Sequence, residues 1–275
     1  MEILSAEFLP YAGLMLAAGA LTGVLAGLFG VGGGAIIVPV LFEVFRMLDV
    51  AEDVAMPLAV GTSLAIIIPT SLRSFRAHRA RGAVDEALMR AWALPILAGV
   101  AMGALIARYA PPQVFQIVFA TVAGILAVKL VSGTKRLDLA PDLPQGAALG
   151  AYGGGIGLVS ALMGIGGGAI ATMIMTLHGR AIHQAVATSA GIGVLISIPG
   201  AIGYALAGLG REGLPPDAIG FVSLLGLVLF APATVLTAAL GVRIAHALSR
   251  RTLELAFGVF LAIVSLRFVA AVLSG

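Results

Sequence analysis

Two glycine-rich clusters interrupt the two longest uncharged stretches of this chain and limit how it can fold. The cluster "GLFGVGGGAIIVP" lies within the run Phe8–Phe42, and the cluster "ALMGIGGGAIATM" lies within the run Leu143–Gly179. One crossing of the hydrocarbon core takes about 20 residues, so each run is too long for one crossing and too short for two with a turn. Because glycine is a poor helix former, each run predicts a helix, a break and a shorter second helix. The second helices should begin near Ala35 and Ala169.

The composition predicts an all-α polytopic membrane protein. Hydrophobic residues make up 60% of the chain and charged residues 11%, and the mean hydropathy is +1.10, whereas soluble domains carry about 25% charged residues. We therefore expect a multi-pass protein of the plasma membrane. The charged residues separate about eight hydrophobic segments, which are Phe8–Phe42, Val54–Leu72, Ala91–Ala107, Tyr109–Val128, Leu143–Gly179, Ala181–Gly210, Ala218–Val242 and Leu253–Leu273.

Two pairs of motifs occur in the same order in both halves, which predicts an internal duplication. "GVGGGAI" at Gly30–Ile36 matches "GIGGGAI" at Gly164–Ile170, and "AVGTS" at Ala59–Ser63 matches "AVATS" at Ala185–Ser189. Internal repeats in a polytopic membrane protein are typical of transporters. The chain accordingly divides into a first transmembrane repeat (1–131), a cytoplasmic linker (132–145) and a second transmembrane repeat (146–275).

The distribution of Lys and Arg indicates how the two repeats are oriented. If the two glycine-broken segments crossed the membrane straight, the basic residues would split 10 to 6 between its faces; if both were hairpins that return to the side they entered, the split would be 12 to 4. Basic residues collect on the cytoplasmic side, so the count favours hairpins. The two repeats would then be inverted relative to each other, with both termini outside.

The glycine breaks and the neighbouring hydroxyls form the predicted substrate site. Two breaks related by an inverted repeat would meet near the bilayer centre, where helix N-termini present free N–H groups and positive dipole ends to an anion. No Asp or Glu lies in the middle of an apolar run, whereas a cation carrier normally keeps such a group in the membrane. The predicted substrate-binding residues are Gly30, Gly32, Gly33, Gly34, Thr62, Ser63, Gly164, Gly166, Gly167, Gly168, Thr188 and Ser189.

Other interpretations of the same residues stay open at this stage. Glycines also let membrane helices pack closely, and Ser and Thr often bond to their own helix. An anion channel and a structural membrane protein are therefore the alternatives to a transporter. "GVGGGA" fits a loose dinucleotide pattern, but no strand–helix units surround it, so we predict no cofactor, no metal and no nucleic-acid partner. No catalytic constellation is apparent, and an enzyme is not predicted. The expected partners are a small anion and the lipid bilayer, and a homo-oligomer is left open.

The doubled motifs resemble those of the TauE/SafE family of sulfite and sulfonate exporters. The resemblance depends on "GLFGVGGGAIIVPVL", "AVGTSL", "LMGIGGGAI" and "AVATSA" and extends over nearly the whole chain. It implies a plasma-membrane transporter for small and often sulfur-containing anions such as sulfite or other sulfonates. The family includes both exporters and importers, and we expect this chain to be an exporter. The second repeat departs from the first in two places: no proline occupies the position of Pro39, and Ala187 stands where Gly61 does.

Overall fold

The computed structural model describes residues 8–29, 33–133 and 142–274, and within these ranges the chain is almost entirely helical. The predicted linker 132–145 lies mostly outside the described residues. The helices are α1 (Phe8–Phe29), α2 (Gly34–Met47), α3 (Glu52–Ala80), α4 (Glu86–Tyr109), α5 (Pro112–Ser132), α6 (Ala147–Met163), α7 (Gly168–Leu177), α8 (Ile182–Ala207), α9 (Ala231–Ala247) and α10 (Arg250–Ser274). Two short antiparallel strands, β1 (Ala218–Ile219) and β2 (Val222–Ser223), and a π-helical turn (Gly226–Phe230) precede α9.

Seven helices in the described ranges are long and apolar enough to cross a membrane. They are α1, α3, α4, α5, α8, α9 together with its π turn, and α10. The predicted all-α polytopic membrane fold is confirmed. The fifth predicted segment contributes only the shorter helices α6 and α7. The seventh, Ala218–Val242, was expected to be membrane helix throughout, but it starts with the two strands and becomes helical from Gly226.

Both glycine clusters break a helix, as the sequence predicts. The first break separates α1 from α2 and the second separates α6 from α7. Gly33, Gly164 and Gly167 have φ angles of +81°, +64° and +70°, in a region that glycine enters without the steric penalty of a β-carbon. The second limbs of 14 and 10 residues are about 21 Å and about 15 Å long. Neither is long enough to cross the hydrocarbon core.

Helices α3 and α8 run antiparallel through the centre of the molecule. Gly61 of α3 lies against Tyr204 of α8, and Ser71, further along α3, lies against Gly193, which comes earlier in α8. Of the most apolar part of α3, 78% is buried, compared with 28% for α1. The helix pair α3–α8 is therefore the core around which the lipid-facing helices pack.

The peripheral helices pack in three further pairs. Helix α5 runs antiparallel to α10, with Phe119 and Phe268 in edge contact at a centroid separation of 5.1 Å and Ser265 donating to the Ala120 carbonyl at 2.8 Å. Helices α1 and α9 run parallel, and so do α4 and α6. In the latter pair the Trp92 indole N–H donates to the Leu149 carbonyl at 2.9 Å.

Polar contacts at the two ends of the bundle indicate that the broken segments are hairpins. At one end Arg267 pairs with Glu43 at 3.1 Å, and Arg211 donates to the carbonyl of Arg108 at 2.9 Å. At the other end Arg180 pairs with Asp85 at 3.8 Å. Eight straight crossings would put the partners of each contact on opposite faces of the membrane. Consistent with a hairpin, the Tyr152 ring near the start of α6 lies 5.5 Å from the His178 ring just after α7.

We predict that Gly157 sets the spacing of α4 and α6. A β-carbon at Gly157 would overlap the Ile96 carbonyl, whereas one at Gly155 would meet nothing within 4 Å. Gly157→Ala should therefore destabilise the protein by about 1–3 kcal/mol through overpacking. Gly155→Ala is the matched control and should leave the melting temperature unchanged or raise it, because alanine favours helix. Thermal unfolding of the purified protein in detergent measures both, and equal melting temperatures would contradict the assignment.

Candidate functional site

A cavity of about 550 Å³ lies between the two glycine breaks. The first break contributes Gly33, and the second contributes Ile165, Gly166 and Gly168. The remaining wall comes from α1, α2, α3, α7, α8 and α9. Two sequence segments separated by more than a hundred residues therefore border one space. Gly30 and Gly32 lie outside the described residues.

The other predicted glycines lie where the two breaks pack against their surroundings. A β-carbon at Gly34 would come within 2.8 Å of the Ile165 Cα atom and 3.0 Å of the Gly164 carbonyl oxygen, so the two breaks touch each other. A β-carbon at Gly164 would lie 2.6 Å from a methyl group of Val38. Gly167 packs against the Ile196 side chain. Glycine at these three positions allows close packing, while Gly33, Gly166 and Gly168 form cavity wall.

Helices α2 and α7 both begin at this cavity. Neither N-cap residue, Gly33 or Gly167, offers a side chain that accepts a hydrogen bond from the first turn. The first N–H groups of a helix have no carbonyl partner within the helix. The positive dipole ends of both helices thus lie at the cavity, which Gly33 borders at the start of α2 and which Gly168 and Ala169 border at the start of α7.

The four hydroxyls of the Thr-Ser pairs have different surroundings. Ser189 lies on the cavity wall, where its Oγ atom accepts from Thr172 Oγ1 and donates to the Val186 carbonyl, both at 2.9 Å. Ser63 is fully buried and donates to the Gly164 carbonyl at 2.8 Å, so it holds the second break. Thr62 and Thr188 are also fully buried and lie off the described cavity wall.

Thr62 and Thr188 form equivalent contacts in the two repeats. Thr188 Oγ1 accepts from the Asp85 amide, and Thr62 Oγ1 accepts from the Ser223 amide, each at 2.9 Å. Asp85 caps α4 by accepting from the Leu88 amide at 3.0 Å. Ser223 likewise accepts from the amide of the third residue after it, at 2.9 Å. Each threonine therefore holds a helix start that belongs to the other repeat.

The sequence interpretation missed several polar residues on the wall, of which Ser71 and Ser74 are the most informative. The Ser71 hydroxyl lies beside Gly166 and Gly193. Thr70 and Thr234 also line the cavity but donate to main-chain carbonyls at 2.8 Å. Within the described part of the chain, no hydrogen bond is found for the hydroxyls of Ser71 and Ser74. The signal was a second Thr-Ser pair in α3, "IIIPTSLRS"; at the equivalent positions of the other repeat the serine is kept as Ser197 but the threonine is replaced by Ile196.

The described wall of the cavity lies toward one end of the bundle, and the strand hairpin lies toward the other. Its wall on α3 runs from Ile66 to Ser74, toward the basic stretch that begins at Arg73. Beyond the opposite end, the strand hairpin packs between α3 and α8. The Phe221 amide donates to the Tyr204 carbonyl at 3.1 Å, and a β-carbon at Gly61 would overlap the Phe221 carbonyl. This contact explains why the first repeat has glycine where the second has Ala187.

Comparison with known proteins agrees with these features. The profile of the family described as sulfite exporter TauE/SafE matches residues 15–268. A probable membrane transporter protein of Haemophilus influenzae is 32% identical over 255 residues, covering 92% of this chain and 96% of its own length. Another, from Methanocaldococcus jannaschii, is 27% identical over 262 residues and covers 94% and 96% of the two chains. No solved structure matches the chain.

We predict that Thr62 stabilises the fold through its hydrogen bond. Thr62→Val keeps the shape but leaves the buried Ser223 amide without its acceptor, which should lower the free energy of unfolding by about 1–3 kcal/mol. Thr22→Val is the matched control, because the Thr22 hydroxyl is fully buried and has no partner among the described residues. It should be neutral or stabilising. The melting temperatures of the two variants are compared in detergent. An equal decrease in both would show that the hydrogen bond of Thr62 does not stabilise the fold.

Proposed function

Because the chain belongs to the sulfite exporter TauE/SafE family, we propose that it is a secondary transporter of small, sulfur-containing anions such as sulfite or organosulfonates. The family and the seven spanning helices make it a multi-pass transporter protein of the plasma membrane. The observation that carries the substrate class is the cavity where the two glycine breaks meet and from which α2 and α7 begin.

The chemistry of the wall favours an anion. The starts of two helices together present about one unit of positive charge, and the bare main chain at Gly33, Gly166 and Gly168 allows a ligand oxygen to approach the amides closely. The hydroxyls of Ser71 and Ser74 add donors. Among the described lining residues none is acidic, whereas membrane proteins that carry cations normally place a carboxylate in the pathway.

The helix pairing supports alternating access by two inverted halves. If α1–α5 correspond to α6–α10, then α3 pairs with its own counterpart α8, and α5 pairs with α10. Both pairs are antiparallel, as a two-fold axis in the membrane plane requires. The parallel pairs α1–α9 and α4–α6 exchange with each other under the same operation. Inverted repeats of this kind let one half rock against the other around a central site.

In this arrangement the strand hairpin is the outer gate. The basic end of the bundle is cytoplasmic by the positive-inside rule, so the cavity extends inward while β1, β2 and Phe221 close the path outward. The gate is held by the bond between the Ser223 amide and Thr62 and by the contact with Gly61. Release of the hairpin would open the outer side. In that second state the loop before Asp85, which is the equivalent element of the first repeat, would close the inner side.

We predict carrier behaviour in liposomes. Purified protein reconstituted with unlabelled sulfite inside should take up labelled sulfite by counterflow, because a carrier exchanges substrate across the membrane through its alternating states. Liposomes without protein, and protein-containing liposomes loaded with chloride alone, are the controls. Single-channel currents at saturating sulfite with no counterflow would identify an anion channel instead. No flux and no stabilisation by any small anion would indicate a structural membrane protein.

We also predict that Ser71 donates a hydrogen bond to the substrate. Ser71→Ala removes an uncommitted hydroxyl from the wall, and a hydrogen bond to a charged group contributes about 1.5–3 kcal/mol. The dissociation constant for the transported anion should therefore rise roughly tenfold or more, with little change in melting temperature. Ser265→Ala, which removes a hydroxyl at the α5–α10 contact away from the cavity, is the control and should leave affinity unchanged. Equal affinities of the two variants for the anion would show that Ser71 does not donate a hydrogen bond to the substrate.

A further inference from the structure

The wall of the cavity limits how much negative charge a bound anion can carry. None of the described residues that line it has a charged side chain. The described parts of α1 and α7 contain no charged residue at all. The charges of α2 and the start of α3 lie at the outer end, where Glu43 pairs with Arg267 at 3.1 Å and Arg46 with Glu52 at 3.3 Å.

None of the remaining charged or titratable groups on the lining helices belongs to the described cavity wall. Arg73, Arg76, His78 and Arg79 follow or flank the last lining residues of α3. His183 precedes the first lining residue of α8, and Arg243 and His246 follow the last lining residue of α9. These groups surround the inner mouth and can attract anions, but they are not part of the wall that a bound anion would touch.

Positive potential inside the cavity comes from the two helix starts alone. Each helix N-terminus acts as roughly half an elementary charge, so α2 and α7 together balance about one negative charge. A second polar feature lies beside the start of α7, next to the described cavity wall but not on it. The Ser160 hydroxyl is fully buried without a partner among the described residues, and it would lie 3.2 Å from a β-carbon placed on Gly167.

On the basis of the proposed function, we infer that this site selects monoanions and excludes dianions. The second charge of a dianion would stand uncompensated against the buried apolar wall of Ile37, Ile66, Ile67 and Ile165, and burying an uncompensated charge is strongly unfavourable. Sulfite therefore enters as hydrogen sulfite. The ion SO₃²⁻ takes up one proton from water on the loading side, crosses as HSO₃⁻ and returns the proton on the other side.

This selection couples sulfite to protons without any carboxylate in the membrane. The proton is bound to an oxygen atom or to the sulfur atom of the substrate. Each sulfite that crosses therefore carries one negative charge and one proton together. The fraction of sulfite present as HSO₃⁻ falls as pH rises through the second pKa of sulfurous acid, which lies near neutrality. The apparent affinity for total sulfite must fall with it, by linkage. A permanently monoanionic sulfonate has no such dependence.

The test measures binding of three anions to the purified full-length protein at two pH values. Isothermal titration at about pH 6 and about pH 8 should show methanesulfonate binding equally at both, total sulfite binding roughly tenfold more weakly at the higher pH, and sulfate, a dianion at both, not binding. Sulfate binding as tightly as methanesulfonate, or sulfite binding that is independent of pH, would overturn the inference. Failure of all three anions to bind would instead overturn the proposed function on which it depends.

His183 provides the necessary control, because histidine is the side-chain type that changes charge in this pH range. If protonation of histidines at the mouth caused the effect, methanesulfonate would also bind more weakly at high pH, and His183→Gln would weaken the pH dependence for sulfite. We expect methanesulfonate to be unaffected by pH and the dependence for sulfite to be the same in His183→Gln and the unaltered protein. The opposite result would assign the effect to the protein and contradict the selection of monoanions.

Discussion

The structure depends on one constraint: within lipid, every main-chain N–H and C=O group must find a partner inside the protein. Two helix breaks violate this rule wherever they face lipid, so the fold buries them against each other and against the central pair α3–α8. Gly34 packs directly against Ile165, and the Ser63 hydroxyl satisfies the Gly164 carbonyl from within the protein. In the proposed function, the free amides at the starts of α2 and α7 are the groups that bind the ligand.

The duplicated and the unique features of the chain serve different purposes. Thr62 in the first half and Thr188 in the second are equivalent residues, and they make the same kind of contact. Each accepts a hydrogen bond from an amide at the start of a helix in the other half. Thr70 and the pair of Gly61 with Phe221 have no equivalent in the other repeat, and Ser71 faces the cavity whereas its equivalent, Ser197, is buried away from the described wall. A carrier needs equivalent contacts in its two halves so that its two states are similar in energy. It also needs contacts that differ between the halves in order to distinguish its two faces and its substrate. The unique residues supply these differences at the cavity wall and at the outer hairpin.

The substrate class that we propose depends on what the cavity wall contains. Main-chain amides and hydroxyls solvate an anion without bringing a full charge into the membrane, where an unpaired ion is costly. They also set a limit, because dipoles balance less charge than an Arg or Lys side chain would. In the proposed site the helix breaks supply the positive helix ends, and the described wall carries no acidic residue. These two features together limit the charge of the anion that fits.

The sequence by itself determined the breaks, their positions and the shortness of the second limbs, because these follow from glycine, from charge spacing and from the thickness of the bilayer. It also indicated the duplication. Only the tertiary structure decided which hydroxyls face the cavity: Ser189 and Ser71 do, while Thr62, Ser63 and Thr188 hold other segments in place. The strand hairpin at the start of the seventh segment was likewise decided by packing against Gly61 and Tyr204. Such contacts join residues distant in sequence, and local composition does not encode them.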